Sequence, residues 1–245
     1  MASADLPRPA FYALAPGGWR DYLTLLHPPY TAWHLSYVVA GASLAPELSV
    51  SRLVPVLVAF FLAVGIGAHA LDELNGRPLR TQIPSLLLGL LAGLSLAGAA
   101  AIGIAGAVTV DPWIGAFVGA GIFLVLAYNL ELAGGRFHTD TWFAVAWGGF
   151  PLLTAYFAQA EEIHLAAALG VVFASALSLA QRRLSTQVRD VRRNVVAVSG
   201  RLDRADGESE PVTRETLTRA HERALRALAL ASVTLATALL AMRLA

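Results

Sequence analysis

The chain has 245 residues, 56% of them hydrophobic and 14% charged, with a mean hydropathy of +0.60 and a formal net charge of +1. That is too apolar for an ordinary soluble domain, and no nucleic-acid partner is expected. It has no cysteine, which excludes disulfides, thiolate metal ligands and a cysteine nucleophile, and all 18 basic residues are Arg, which excludes a lysine Schiff base.

An N-terminal segment, 1–29, opens the chain. Pro7, Pro9 and Pro16 interrupt it, so no cleavable signal peptide is expected. Trp19, Tyr22, Leu23, Leu25 and Leu26 predict a short helix lying at the lipid headgroups. About seven apolar stretches follow, at 30–46, 53–71, 86–108, 112–132, 141–159, 163–181 and 224–243. Each is near the ~20 residues that cross a ~30 Å hydrocarbon core. They are rich in Ala, Gly and Leu, which lets membrane helices pack closely, and the ~10-residue alternation of a transmembrane barrel is missing. The expected fold is therefore all-α, a multi-pass transmembrane helical bundle in the lipid bilayer. Residues 30–181 form its main body and 223–245 its last helix.

Arginine sets the expected orientation. Arg77, Arg80, Arg136 and the run from Arg182 lie in loops on one side, whereas Arg52, Asp111, Glu161 and Glu162 hold the other. The positive-inside rule puts the N-terminus in the cytoplasm and the C-terminus outside. The segment 182–222 is Arg-rich, and Leu184, Val188, Val191, Val195 and Val198 recur at steps of four and three, an apolar helical stripe. It is expected to be a cytoplasmic helical hairpin with a turn or linker at 200–211 and a helix restarting at Thr213. It reads either as a solvated face or as a contact surface for anionic lipid or phosphate.

Three polar clusters fall at one end of the bundle. His69, Asp72 and Glu73 share one helical face at the end of the second stretch, followed by Asn75, Arg77 and Arg80. They read either as a salt-bridge network at the helix end or as a divalent-cation site. Carboxylate oxygens suit Mg²⁺, and imidazole shifts preference toward Mn²⁺ or Zn²⁺. The second cluster holds Tyr128, Asn129 and Glu131, then a Gly134-Gly135 turn with Arg136 and His138 near the mouth. The third is Gln181, Arg182, Ser185 and Arg189, whose guanidinium groups suit phosphate oxygens. His27 and His34, flanking the start of the first stretch, read as interfacial or satisfied within the bundle.

The order of these parts resembles the UbiA-type intramembrane prenyltransferase superfamily over about residues 27–200. Arg80-Thr81-Gln82-Ile83-Pro84 is similar to the tail of its first motif. Tyr128 follows the fourth stretch, Gly148-Gly149-Phe150-Pro151 precedes Tyr156, and a polar motif follows the sixth stretch. In the first Asp-rich motif Asp72 alone falls in register, and in place of the second stands Gln181-Arg182-Arg183-Leu184-Ser185.

The resemblance implies a UbiA-like transferase acting on an isoprenoid diphosphate or related lipid phosphate. Asp72 and Glu73, with His69, would hold one divalent cation, and Tyr128 and Asn129 would orient the donor. Arg77, Arg80, Arg136 and Arg182 would neutralise the anion, with Asn75, Glu131, His138, Gln181, Ser185 and Arg189 in the binding surface. Two other readings stay open. One is a lipid-binding or accessory membrane protein without catalysis, the other a metal-dependent membrane enzyme built on histidine and carboxylate.

Overall fold

The structure is a computed structural model and describes residues 8–245. Its helices are α1 (Trp19–Leu25), α2 (Pro28–Leu44), α3 (Val50–Leu74), α4 (Ser85–Thr109), α5 (Ile114–Asn129), α6 (residues 140–160), α7 (Leu165–Arg193) and α8 (Arg214–Leu244). A hairpin of β1 (Arg201–Asp203) and β2 (Ser209–Pro211) joins α7 to α8. The helical class expected from the sequence is the one the chain adopts. Of the seven expected stretches, the four on α3, α4, α7 and α8 are long and apolar enough to cross a membrane, while α5 is apolar but shorter.

Polar side chains tie the helix ends that lie away from the three clusters. Arg52 donates to the carbonyls of Ala158 and Gln159 and to Glu161, and Arg243 donates to the carbonyls of Ala45 and Pro46. Within the bundle Trp33 and Tyr37 of α2 are fully buried. Trp33 Nε1 donates to Tyr37 Oη at 2.6 Å, and Ser178 of α7 donates to the same oxygen at 3.2 Å. Close approach of α6 to α7 requires Gly148, since a Cβ there would strike the Ala174 carbonyl and the Ser178 hydroxyl. Gly41 does the same for α2 against the Leu152 backbone.

Two helices widen halfway along. In α3 the stretch Phe61–Ala68 is a π-helix, and in α6 so is Val145–Gly149. Such wide turns are uncommon and concentrate at functional sites. Both lead toward the clustered end of the bundle.

The segment 182–222 holds the end of α7, a connecting β-hairpin and the start of α8. Helix α7 continues unbroken to Arg193, carrying Leu184, Val188 and Val191, whereas Val195 and Val198 lie beyond it in extended chain. The expected linker at 200–211 closes as an antiparallel β-hairpin with Leu202 opposite Glu210 and Gly207 at φ 89°. Thr213 then caps α8 in a capping box with Thr216, so the last helix begins well before residue 223. Arg192 Nε pairs with Glu222 at 2.6 Å, joining α7 to α8.

Candidate functional site

Below the π turn of α3, His69 and Asp72 face inward while the next residue, Glu73, turns away. Glu73 is fully buried, and its carboxylate accepts from Leu79 N (2.9 Å), Thr81 N (2.8 Å) and Thr81 Oγ1 (2.9 Å). Around this anchor Arg77 and Arg80 adopt left-handed φ values of 54° and 58°. Arg77 spends its guanidinium inside the loop, donating to Ile83 O and Ser85 Oγ, both at 2.6 Å. Asp21 in the first turn of α1 accepts from Gly17 N and Gln82 N, which fastens the loop to the N-terminal segment.

The second cluster is tied to the first. Asn75 Nδ2 donates to Asn129 O at 3.2 Å, across the gap between the ends of α3 and α5. Glu131 takes a left-handed φ of 50°, which turns the chain back so that His138 stacks on Tyr128 with ring centroids 4.3 Å apart. On α7, Gln181, Ser185 and Arg189 follow at steps of four, and Arg193 extends the row by one more step. Arg182 lies over the rings of Phe143 and Tyr128 and pairs with Asp140 at 3.2 Å.

These elements enclose one cavity of about 300 Å³. Of the residues expected from the sequence, its wall holds His69, Asp72, Asn75, Tyr128, Asn129 and Glu131 from the first two clusters. From the other side come His138, Gln181, Arg182, Ser185 and Arg189. Glu73, Arg77, Arg80 and Arg136 do not line it. In this structure Glu73 anchors the loop and Arg77 ties it.

The residues present do not fit a cation held by His69, Asp72 and Glu73. Glu73 has committed both oxygens to the loop. Among the described residues no group of three or more His, Asp or Glu side chains is assembled for a metal. Positive charge instead comes from α7, where Arg193 and Arg189 are the charges acting most strongly on Asp72.

Several wall residues escaped the sequence reading. The N-terminal segment folds back so that Pro9 to Tyr12 close one side, with Phe11 under the Arg226 guanidinium. Tyr12 Oη meets His27 Nδ1 at 2.8 Å, and the His27 ring stacks on His69 at 4.0 Å and 7°. Burial pushes the Tyr12 hydroxyl well above its usual range. Burial and, next, His69 push the His27 imidazole well below 6.5. Arg193 was within reach of the four-residue spacing on α7, but nothing in the local pattern of residues 8–12 marks them as wall.

A second, apolar chamber of about 430 Å³ runs between α3, α4, α5 and α6. Its α4 side is built from Ala99, Ala100, Gly103 and Gly106, faced by Phe60, Phe117 and Phe150. Val64 and Trp147 belong to the walls of both chambers, and each sits in one of the two π segments. Among the described residues five buried side-chain polar atoms have no hydrogen-bond partner. Four of them, His27 Nε2, Tyr128 Oη, Gln181 Oε1 and Arg193 Nε, belong to residues of the polar chamber. Comparison with protein-family models, curated proteins and solved structures yields no match for this chain.

Proposed function

We propose that this chain is a divergent UbiA-like intramembrane transferase whose donor is an isoprenoid diphosphate or related lipid phosphate. The observation that carries the reading is the pairing of a cationic chamber with an apolar one across a shared wall of Val64 and Trp147. A ligand with an anionic head and an apolar tail matches both. Unpaired buried donors are costly, and Arg193 Nε and Tyr128 Oη supply two that an anion would satisfy.

In this reading Arg182, Arg189 and Arg193 hold the head and take up the charge that grows on it as the carbon–oxygen bond of the donor breaks. Donors fixed in advance where charge develops account for much of a rate enhancement. Asp72, facing these arginines, balances them and stabilises positive charge on the isoprenyl carbon. Tyr128 and Asn129 orient the head, and the small residues of α4 flank the tail. In this reading the chain crosses the membrane seven times with its N-terminus in the cytoplasm, and the polar chamber then opens to the cytoplasmic side.

The test is binding and turnover of geranylgeranyl diphosphate by the full chain in lipid nanodiscs, with Mg²⁺ and with chelator. The expected result is binding that persists in chelator and weakens tenfold or more in Arg193→Ala, the ~1.5–3 kcal/mol of a charge-assisted hydrogen bond, with no change in Arg80→Ala. Binding without transfer to any acceptor would replace the transferase by a lipid-binding protein. Absence of binding would end both readings.

A further inference from the structure

Helix α8 turns one face inward. Thr218, Glu222, Leu225, Ala229 and Ser232 are buried along it, against α2 and α7. About 100° further round the helix runs a second row, Arg219, Arg223 and Arg226, at steps of four and three, and all three are exposed. Leu230 continues the row at 65% exposure, followed by Thr234 and Thr237. Those threonines spend their hydroxyls on the Leu230 and Val233 carbonyls of their own helix, so the row stays apolar toward its end. Charge thus gives way to apolar surface within one turn, where the apolar stretch at 224–243 begins.

The three arginines are short of anions. Elsewhere Arg52, Arg182, Arg192 and Arg204 each hold a carboxylate, while Arg201 is bonded to Ser209 and Arg214 to the Val195 and Val196 carbonyls. Among the described residues no carboxylate pairs with Arg219, Arg223 or Arg226, and Glu222, which lies among them in sequence, is taken by Arg192. Arg226 is nevertheless held in place. Its guanidinium lies 4.8 Å from the centre of the Phe11 ring, and Phe11 packs edge-on against Tyr30 of α2 at 6.3 Å. A cation fixed beforehand loses less freedom when it binds.

We propose that this face of α8 binds an anionic phospholipid of the bilayer, its phosphodiester against Arg219, Arg223 and Arg226 and an acyl chain along Leu230 and Thr234. Charge complementarity selects that occupant. Guanidinium groups bind phosphate oxygens through paired hydrogen bonds, and basic rows beside a membrane span attract anionic lipids. A soluble anion would meet the arginines and leave Leu230 uncovered, whereas a zwitterionic lipid brings a cation of its own beside them. None of the three arginines lines either chamber, so the site is separate from the transferase reading and does not depend on it.

The experiment uses the full chain in detergent micelles, titrated with phosphatidylglycerol or with phosphatidylcholine of the same acyl chains. Native mass spectrometry counts the lipids retained. The expected result is that phosphatidylglycerol is retained at a concentration at least tenfold lower than phosphatidylcholine. Arg219→Gln combined with Arg223→Gln should abolish that preference. Arg201→Gln combined with Arg204→Gln removes the same charge from the β-hairpin and should keep it. Leu230→Asn should weaken retention of phosphatidylglycerol at least threefold.

Equal retention of the two lipids by the unaltered chain would overturn the proposal. So would equal loss of the preference in both double variants, which would make it an effect of net charge rather than of this face. Displacement of the lipid by soluble glycerophosphoglycerol at equal concentration would overturn it as well, because the site would then be one for a free phosphate ester. Should the chain fail to fold without Arg219 and Arg223, unchanged retention of phosphatidylglycerol by Leu230→Asn would still refute it.

Discussion

Replacing Glu73 by Gln separates the loop anchor from the cavity one residue away. The side chain is at 0% exposure and its oxygens accept three hydrogen bonds, two on Oε1 and one on Oε2. A Gln in the same pose keeps one oxygen for the Thr81 pair and turns its amide NH₂ against Leu79 N–H. One bond is lost, two donors face each other, and the remaining bonds no longer end on a charge. With roughly 1.5–3 kcal/mol for a hydrogen bond to a charged group and about 1–3 for a buried donor left unmet, the loss is about 2–4 kcal/mol after partial relaxation. At about 2–4 °C per kcal/mol for a chain of this size, the Tm falls by roughly 4–16 °C. Thermal unfolding in nanodiscs, followed by circular dichroism, measures this directly. Asp72→Asn is the matched control. Asp72 lines the cavity without a role in the loop, so its Tm should shift by about 1 °C or less while ligand binding changes. Were Glu73→Gln to unfold at the wild-type temperature yet lose metal-dependent binding, Glu73 would be a cation ligand and the anchor argument would be wrong.

Filling the apolar chamber with Ala99→Phe should weaken geranylgeranyl diphosphate at least tenfold and leave inorganic diphosphate unchanged, as titration of both ligands would show. His27 carries a folded-state pKa below its unfolded value, so the unfolded chain binds more protons as pH falls through about 6.5. Its contribution is present above that pH and lost below it. Stability should therefore decline on acidification from pH 7.5 to 5, and His27→Gln should flatten the decline in a denaturation series. A reporter fused after Ala245 should be exported and one inserted at Gly207 should stay in the cytoplasm. The reverse would overturn the arginine argument for orientation.

What the sequence disclosed best was parity. Loops that follow alternate apolar stretches face the same side, and that alone brings Asp72, Glu131 and Gln181 to one cavity. Spacing of four on α7 located its inward face, because an α-helix returns to the same side nearly every four residues. The anchoring of Glu73 was not legible, because His69, Asp72 and Glu73 look equivalent on a helical wheel. Only the path of residues 75–84, with left-handed Arg77 and Arg80, brings backbone donors beneath Glu73. Tyr12 was invisible for a related reason. Its position depends on a segment folding back over the mouth, and no periodicity announces such contacts. The hairpin at 201–211 shows the converse limit, since Gly and acidic residues marked a turn without revealing that its flanks pair.

The wide turns in α3 and α6 give the site a rotational phase of its own. In an α-helix each residue advances about 100° around the axis. The angular setting of His69 and Asp72 relative to Arg52 at the opposite end thus depends on how many residues the segment Phe61–Ala68 spends per turn. Trp147 depends in the same way on Val145–Gly149. Contraction of either stretch to ordinary α-helical winding would leave both helix ends anchored to their neighbours while turning the partition between head and tail chambers. One chain can thereby keep a fixed frame and still carry a wall whose facing is set by local pitch. Loss of a single residue near Ile66 would strike the head chamber far harder than the frame around it.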